Sequence, residues 1–192
     1  MKAYKEFVIS PIGERYNNSK KVGDKDLILN TEVFNHQYVN RLAKVIATPL
    51  LFLSPIDVGD EIIVHHNVFR RWHDVKGKEK NSRSYWKDNK YIISTDQIFL
   101  YKKENWKATP GFSFVQPIIS KNKLTNESEE PLIGIIKYSD GSFKTDELVG
   151  FTPNSEYEFI IDGQRLYRVL NKFITIKYEY QGNEKEYNPS WA

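Results

Sequence analysis

The sequence predicts an all-β protein built as two tandem copies of one small β-barrel unit. Three observations carry that expectation: short apolar runs with period-2 alternation, turn signals at regular spacing, and an internal repeat. No window of a dozen residues holds the 3.6-residue apolar stripe of an amphipathic helix. Aromatic residues are plentiful, with 12 Tyr and 11 Phe among 192 residues, and such side chains fit a pleated, half-buried surface.

Taken in order, the first half offers strands at 6–12, 42–47, 61–65, 90–93 and 97–102. The second half offers them at 112–119, 132–138, 148–151, 157–161, 165–170 and 173–179. Pro, Gly and Asn/Asp clusters separate these runs: Pro55-Ile56-Asp57-Val58-Gly59-Asp60, Asp88-Asn89, Asp140-Gly141 and Asp162-Gly163. Asp-Gly supplies the positive φ of a tight hairpin, so 157–161 and 165–170 are expected to pair across Asp162-Gly163. The nearest helical candidate, 35–47, ends in Val45-Ile46-Ala47, which reads better as a strand. The polar stretch 103–111 reads as a short connector, and the tail 181–192 as loosely ordered.

The repeat aligns Phe7-Val8-Ile9-Ser10-Pro11-Ile12 with Phe114-Val115-Gln116-Pro117-Ile118, and Asp60-Glu61-Ile62-Ile63-Val64 with Asp146-Glu147-Leu148-Val149-Gly150. It continues by aligning Tyr91-Ile92-Ile93 with Tyr167-Arg168-Val169, and Ile98-Phe99-Leu100 with Ile174-Thr175-Ile176. Two domains follow, 1–108 and 109–192, each within the ordinary size of a small domain. The copies differ in one respect: only the first carries a long polar loop, 13–40, with the apolar tripeptide Leu27-Ile28-Leu29 inside it. What one copy lacks is not needed to build the unit, so the loop is where function is expected.

Composition excludes several classes. There is no cysteine, hence no disulfide framework, thiolate metal site or cysteine nucleophile. No apolar signal core follows Met1 and no run is long enough to span a bilayer, so a cytoplasmic protein without membrane partners is expected. A net charge of +3 does not by itself imply a nucleic-acid partner. Nucleophile elbow, phosphate-cradling glycine loop and HExxH pattern are all absent, and Glu129-Glu130 reads as an exposed turn, so no enzyme and no cofactor is expected. Asn17-Asn18-Ser19 and Asn126-Glu127-Ser128 match glycosylation sequons by chance.

Three segments carry a family resemblance: Val39-Asn40-Arg41-Leu42-Ala43-Lys44-Val45-Ile46-Ala47, then Val58-Gly59-Asp60-Glu61-Ile62-Ile63-Val64, then Tyr91-Ile92-Ile93-Ser94-Thr95-Asp96-Gln97-Ile98. In this order they resemble GroES-type co-chaperonins, with their valine–glycine–aspartate turn and late serine–aspartate–isoleucine strand entry. The second copy resembles the family more faintly, through Pro131-Leu132-Ile133-Gly134-Ile135-Ile136 and Asp146-Glu147-Leu148-Val149. The resemblance implies that 13–40 is the family's mobile loop and that Leu27, Ile28 and Leu29 bind a GroEL-type chaperonin. It further implies a homo-oligomeric ring, by habit a heptamer, that closes a cavity holding an unfolded client and assists ATP-dependent folding. The divergence and the Lys-, Asn- and Tyr-rich composition have the style of a bacteriophage-encoded version acting in the host cytoplasm.

The departures are also specific. Asp24-Lys25-Asp26 stands where the family has glycines, 50–54 leaves little room for its roof hairpin, and the basic excursion 68–90 is larger than the family normally has. A polar loop of this composition is expected to be unstructured when free, so ordering it on binding offsets much of what three buried Leu/Ile side chains contribute. Many loops on one ring would turn weak contacts into tight, reversible capping.

Other readings stand beside this one. Leu27-Ile28-Leu29 could be a core strand, 26–31, feeding into Val33-Phe34. The 68–90 excursion interleaves Arg70, Arg71, Lys76, Lys78, Lys80, Arg83, Lys87 and Lys90, against Asp74, Glu79 and Asp88, with Phe69, Trp72, Tyr85 and Trp86, the pattern with which a small barrel grips single-stranded nucleic acid. A virion structural protein built on the same barrel is a third class. His65-His66 with His73 suggests a metal site only superficially, because neighbours on a strand point to opposite faces.

Overall fold

The computed structural model describes residues 2–16, 19–28, 38–120, 128–179 and 184–190. It is all-β, its only helical pieces being single 3₁₀ turns such as His66–Val68, Thr95–Gln97 and Asn171–Phe173 among the described residues. The chain divides into two compact units, Met1–Asn105 and Trp106–Ala192.

The strands of the first unit are β1 (Phe7–Pro11), β2 (Ser19–Val22), β3 (Lys25–Ile28), β4 (Leu42–Ala47), β5 (Glu61–Val64), β6 (Arg71–His73), β7 (Glu79–Asn81), β8 (Tyr85–Lys87), β9 (Lys90–Ile93) and β10 (Ile98–Lys102). Six of them lie side by side in the order β10-β5-β4-β1-β9-β8. The remaining four form two separate hairpins, β2-β3 and β6-β7. Alternation decides which face is buried. Phe7 and Ile9 of β1, Ala43 and Val45 of β4, Ile62 and Val64 of β5, and Tyr91 and Ile93 of β9 all join one core, closed by Val68 and Phe69.

The second unit contains β11 (Trp106–Ala108), β12 (Phe112–Ile119), β13 (Glu129–Ser139), β14 (Leu148–Phe151), β15 (Tyr157–Ile161), β16 (Gln164–Leu170) and β17 (Ile174–Tyr178). The last six form a sheet in the order β15-β16-β12-β13-β14-β17. Val115, Ile136, Val149, Phe151 and Val169 build its core. The β15-β16 hairpin forms across Asp162-Gly163, both at positive φ (50° and 76°), as the Asp-Gly pair requires.

The two sheets share one topology. Numbering the six sheet strands of each unit a to f in chain order, both run f-c-b-a-e-d. The likeness extends to detail. Gly59 and Asp60 exchange backbone hydrogen bonds with Val45 just as Asp146 and Glu147 do with Ile136. Gly59 and Asp146 both have positive φ, 97° and 64°. A lysine braces each of these turns, Lys103 on Asp57 and Asp60 and Lys177 on Glu147. Neither sheet closes on itself as a barrel.

Three expectations need correction. Within the connector 103–111, Trp106–Ala108 forms β11, and Trp106 is buried with its indole N–H donating to Asp162 at 2.9 Å, so this part is packed structure rather than a bare link. The described tail residues are strapped down: the amides of Ile119 and Tyr187 donate to the Lys185 and Pro117 carbonyls (both 2.8 Å), and Asn188 accepts from the Arg165 amide. Glu129 opens strand β13 rather than an exposed turn. Its carboxylate takes Arg165 Nη1 at 2.5 Å and the Tyr167 hydroxyl at 2.6 Å, while Arg165 Nε reaches Glu158 at 2.7 Å. Burial pushes the Tyr167 phenol up, and the Glu129 carboxylate beside it pushes in the same direction.

Candidate functional site

Segment 13–40 is an insertion between β1 and β4 of the shared topology, and its root is built with care. Tyr16 and Val39 form an antiparallel bridge and are both buried in the first unit's core. Asn40, 6% exposed, is the staple of this neck. Its Nδ2 donates to the carbonyls of Ile12 (2.7 Å) and Glu14 (2.8 Å), its Oδ1 accepts from the Leu42 amide (2.9 Å), and its own amide donates to Arg15 (2.9 Å). A buried amide side chain satisfied on both ends holds the chain's exit and return together.

Beyond the neck the described residues form a hairpin rather than an unstructured loop. β2 and β3 pair in register from Ser19↔Ile28 to Val22↔Lys25. The connecting loop has two residues, Gly23 and Asp24, with Gly23 at φ 63°. A glycine free to take positive φ at the first loop position matches strand twist, which is why this charged, apolar-poor segment still turns back on itself. Leu27 is 55% exposed and Val22 57%, so Leu27 is not a core residue. Ile28 lies in β3, and Leu29 with the rest of 29–37 lies outside the described residues.

The excursion 68–90 resolves into two parts. Tyr85–Lys87 is sheet strand β8, whereas Arg71–His73 and Glu79–Asn81 make the second free hairpin. Its turn is organised by Asp74, whose Oδ1 accepts from the Lys76 (3.0 Å) and Lys78 (2.9 Å) amides, with Gly77 at φ 74°. The Lys78 amide bond leads the interactions that hold the Asp74 carboxyl below its usual range. Its positive charge is partly matched at home, Arg71 on Glu79 at 3.2 Å and Lys80 on Asp74 at 3.6 Å. Val75 at the tip is fully exposed and Trp72 is 46% exposed, its indole N–H donating to the Asn81 carbonyl.

The histidines do not behave as strand neighbours. His66 begins a 3₁₀ turn, so its ring stacks on that of His65 with centroids 4.3 Å apart, and His65 Nδ1 accepts from the Asn67 amide. No group of three or more potential metal ligands exists among the described residues. No helix among them is long and apolar enough to cross a membrane.

No family model, curated protein or solved structure matches the chain.

Two features escaped sequence reasoning. One is the anchorage by Arg15, Tyr16, Val39 and Asn40, whose only signal is an aromatic and a β-branched residue at the two ends of a polar stretch. The other is the run Leu50-Leu51-Phe52-Leu53, four consecutive large apolar residues with exposures from 40% to 102%. That run was visible as sequence, but nothing in its pattern separates a surface ridge from a short buried strand. A groove of about 330 Å³, lined by Ala3, Tyr4, Val8, Trp86 and Ile92 together with Lys2, Lys5 and Glu6, lies beside it, the Leu50 and Leu51 amides donating to the Ala3 and Tyr4 carbonyls.

Proposed function

We propose that the chain is a co-chaperonin that caps a GroEL-type chaperonin and assists ATP-dependent protein folding, without catalysis of its own. The two sheets are then divergent, opened versions of one GroES-like small barrel. Leu27, Ile28 and Leu29 are the chaperonin-binding residues, and several copies form a ring, a heptamer by family habit, in the cytoplasm of the cell or of a phage-infected host. The observation that supports this reading is the hairpin β2-β3 itself: it pairs outside the main sheet, carries Leu27 exposed, and stands on a neck stapled by Asn40 and Tyr16.

The energetics agree with a weak, repeated contact. Burying three Leu/Ile side chains in a partner groove contributes on the order of 5–8 kcal/mol gross. A segment already paired as a hairpin loses less conformational freedom on binding than a coil would, so more of that gain survives. A ring presenting several such hairpins multiplies the effect through effective concentration while each contact stays individually reversible. Exposed apolar surface at Leu50-Leu51-Phe52-Leu53 suits a chain that works as an assembly rather than alone.

The test is association with a purified bacterial GroEL-type chaperonin and ATP, comparing the natural chain with Ile28→Asp. Loss of the complex with an unchanged circular dichroism spectrum and oligomer mass supports the reading. A variant that unfolds or fails to assemble makes the tripeptide structural and sinks it. Binding of single-stranded DNA with steep salt dependence, and no chaperonin complex, would transfer the assignment to nucleic-acid recognition.

A further inference from the structure

The hairpin β6-β7 is, like β2-β3, an insertion into the shared topology: the second unit connects β14 to β15 through residues 152–156 with no strand between them. The first unit spends residues 65–84 on the corresponding link. Val68 and Phe69 at the start of this link close the core, but no residue of the hairpin 71–81 is buried in it and the hairpin pairs with no strand of the main sheet. What the hairpin does contact is the neck of the other insertion. Arg15 Nε and Nη2 donate to the Phe69 carbonyl at 3.2 and 3.0 Å, and Arg15 Nη1 donates to Asn81 Oδ1 at 2.8 Å. The Arg71 amide donates to the Tyr16 hydroxyl at 2.7 Å, and the Arg71 guanidinium sits 4.7 Å over the Tyr16 ring. The two hairpins therefore rise from one root.

Their tips share part of their chemistry. Val22, Gly23, Asp24 and Lys25 end the first, and Val75, Lys76, Gly77 and Lys78 end the second. Each has an exposed valine and a glycine at positive φ, but Asp24 stands beside Lys25 at the first tip whereas Lys76 and Lys78 flank Gly77 at the second. Between Arg71 and Asn81 there are four Lys/Arg against two Asp/Glu, so the second tip keeps a positive surplus after its own ion pairs.

We infer that β6-β7 is a second docking element for the same protein partner as β2-β3, its tip (Val75, Lys76, Lys78) seating on an acidic-rimmed apolar surface of the chaperonin beside the site of Leu27-Ile28-Leu29. The inference rests on the co-chaperonin reading. Two fingers on a common root bind one surface with the second contact intramolecular, so each tip raises the residence of the other. Lysines at the rim of a contact chiefly raise the association rate and its sensitivity to salt.

The experiment measures association with a purified bacterial GroEL-type chaperonin in ATP at low and physiological salt. It compares the natural chain, the tip variant Val75→Asp with Lys76→Glu and Lys78→Glu, and Ile28→Asp. These tip positions are solvent-facing turn residues, and far-ultraviolet circular dichroism checks that the fold is kept. The tip variant is expected to bind at least about tenfold more weakly, with a flatter salt dependence, while Lys76→Arg with Lys78→Arg restores natural binding. Unchanged affinity of the tip variant, alongside loss of binding in Ile28→Asp, overturns the second docking element and leaves the co-chaperonin reading standing. Failure of the natural chain itself to bind overturns both, and tip-dependent retention on single-stranded DNA would then reassign the hairpin to nucleic acid.

Discussion

The two units have the same strand order and nearly opposite characters. The second puts all six of its main strands into one sheet and closes its polar groups on each other: Arg165 with Glu129 and Glu158, Tyr167 with Glu129, and Asp140 with the amides of Gly111 and Ser142 and the side chain of Asn171. The first uses the same sheet as a base and adds two hairpins that lie outside it. The lesson is that the sheet does not need the hairpins. They are held by a separate set of bonds at Arg15, Tyr16, Asn40 and Asn81, and Val22, Leu27, Trp72 and Val75 on them are exposed.

The contrast breaks most visibly at the first hairpin. Under the proposed co-chaperonin function, Leu27→Asp with Ile28→Asp is expected to lower affinity for a GroEL-type chaperonin by at least about a hundredfold, since the loss would be repeated around the proposed ring. Thermal stability should change by no more than about 0.5 kcal/mol if the hairpin stands outside the core, as Leu27's exposure indicates. A large stability loss, read by calorimetry, would mean that the hairpin is part of the fold after all.

The next effect belongs to the second unit. A Cβ on Gly134 would lie 2.4 Å from the Gln116 carbonyl oxygen and 2.6 Å from a Val115 methyl. Gly134→Val should therefore destabilise the second unit by about 3 kcal/mol, because β12 and β13 cannot separate without losing their ladder. Chemical denaturation followed by circular dichroism checks it, and an unaltered midpoint would contradict the tight β12-β13 approach.

Arg15→Ala comes third. It removes three donors from the shared root, with an expected cost of about 2 kcal/mol and faster proteolysis within 19–28. Proteolysis at the natural rate would show that the neck is held by Tyr16, Val39 and Asn40 alone.

The smallest effect is a pH dependence. Burial opposes the charge on Asp140, but hydrogen bonds from Gly111, Ser142 and Asn171 outweigh it and hold the carboxyl below its ordinary value. A depressed folded-state pKa adds stability above the unfolded value, near 3.9, and that stability fades as pH falls through the folded value. Asp140→Asn should thus cost about 1 kcal/mol at neutral pH. The gap to the natural chain should close below about pH 4, measured by denaturation at several pH values.

Much of the scaffold was legible in the sequence. β4, β9, β12, β14 and β15 fall at their expected bounds, because alternating apolar residues and flanking turn glycines or aspartates record a one-sided core directly. The internal repeat aligned four pairs of segments, and each pair falls on corresponding strands of the two sheets, although neither sheet closes as the expected barrel. What stayed hidden were β2, β3, β6 and β7, whose three- or four-residue, mostly polar sequences leave no period-2 trace. Their existence depends on turn geometry at Gly23 and around Asp74 and Gly77, and on the root formed by Arg15 and Tyr16 with residues more than fifty positions away. Leu27 and Ile28 were picked out as an apolar island, yet the sequence could not say whether the island was core or surface. Exposure of Leu27 on a hairpin answers that for one side chain.

The most direct test of the account is native mass measurement of the chain alone and mixed with a GroEL-type chaperonin and nucleotide. The account predicts a closed oligomer in isolation and a nucleotide-dependent complex of that oligomer with the chaperonin. A monomer that forms no complex under any nucleotide condition would contradict it.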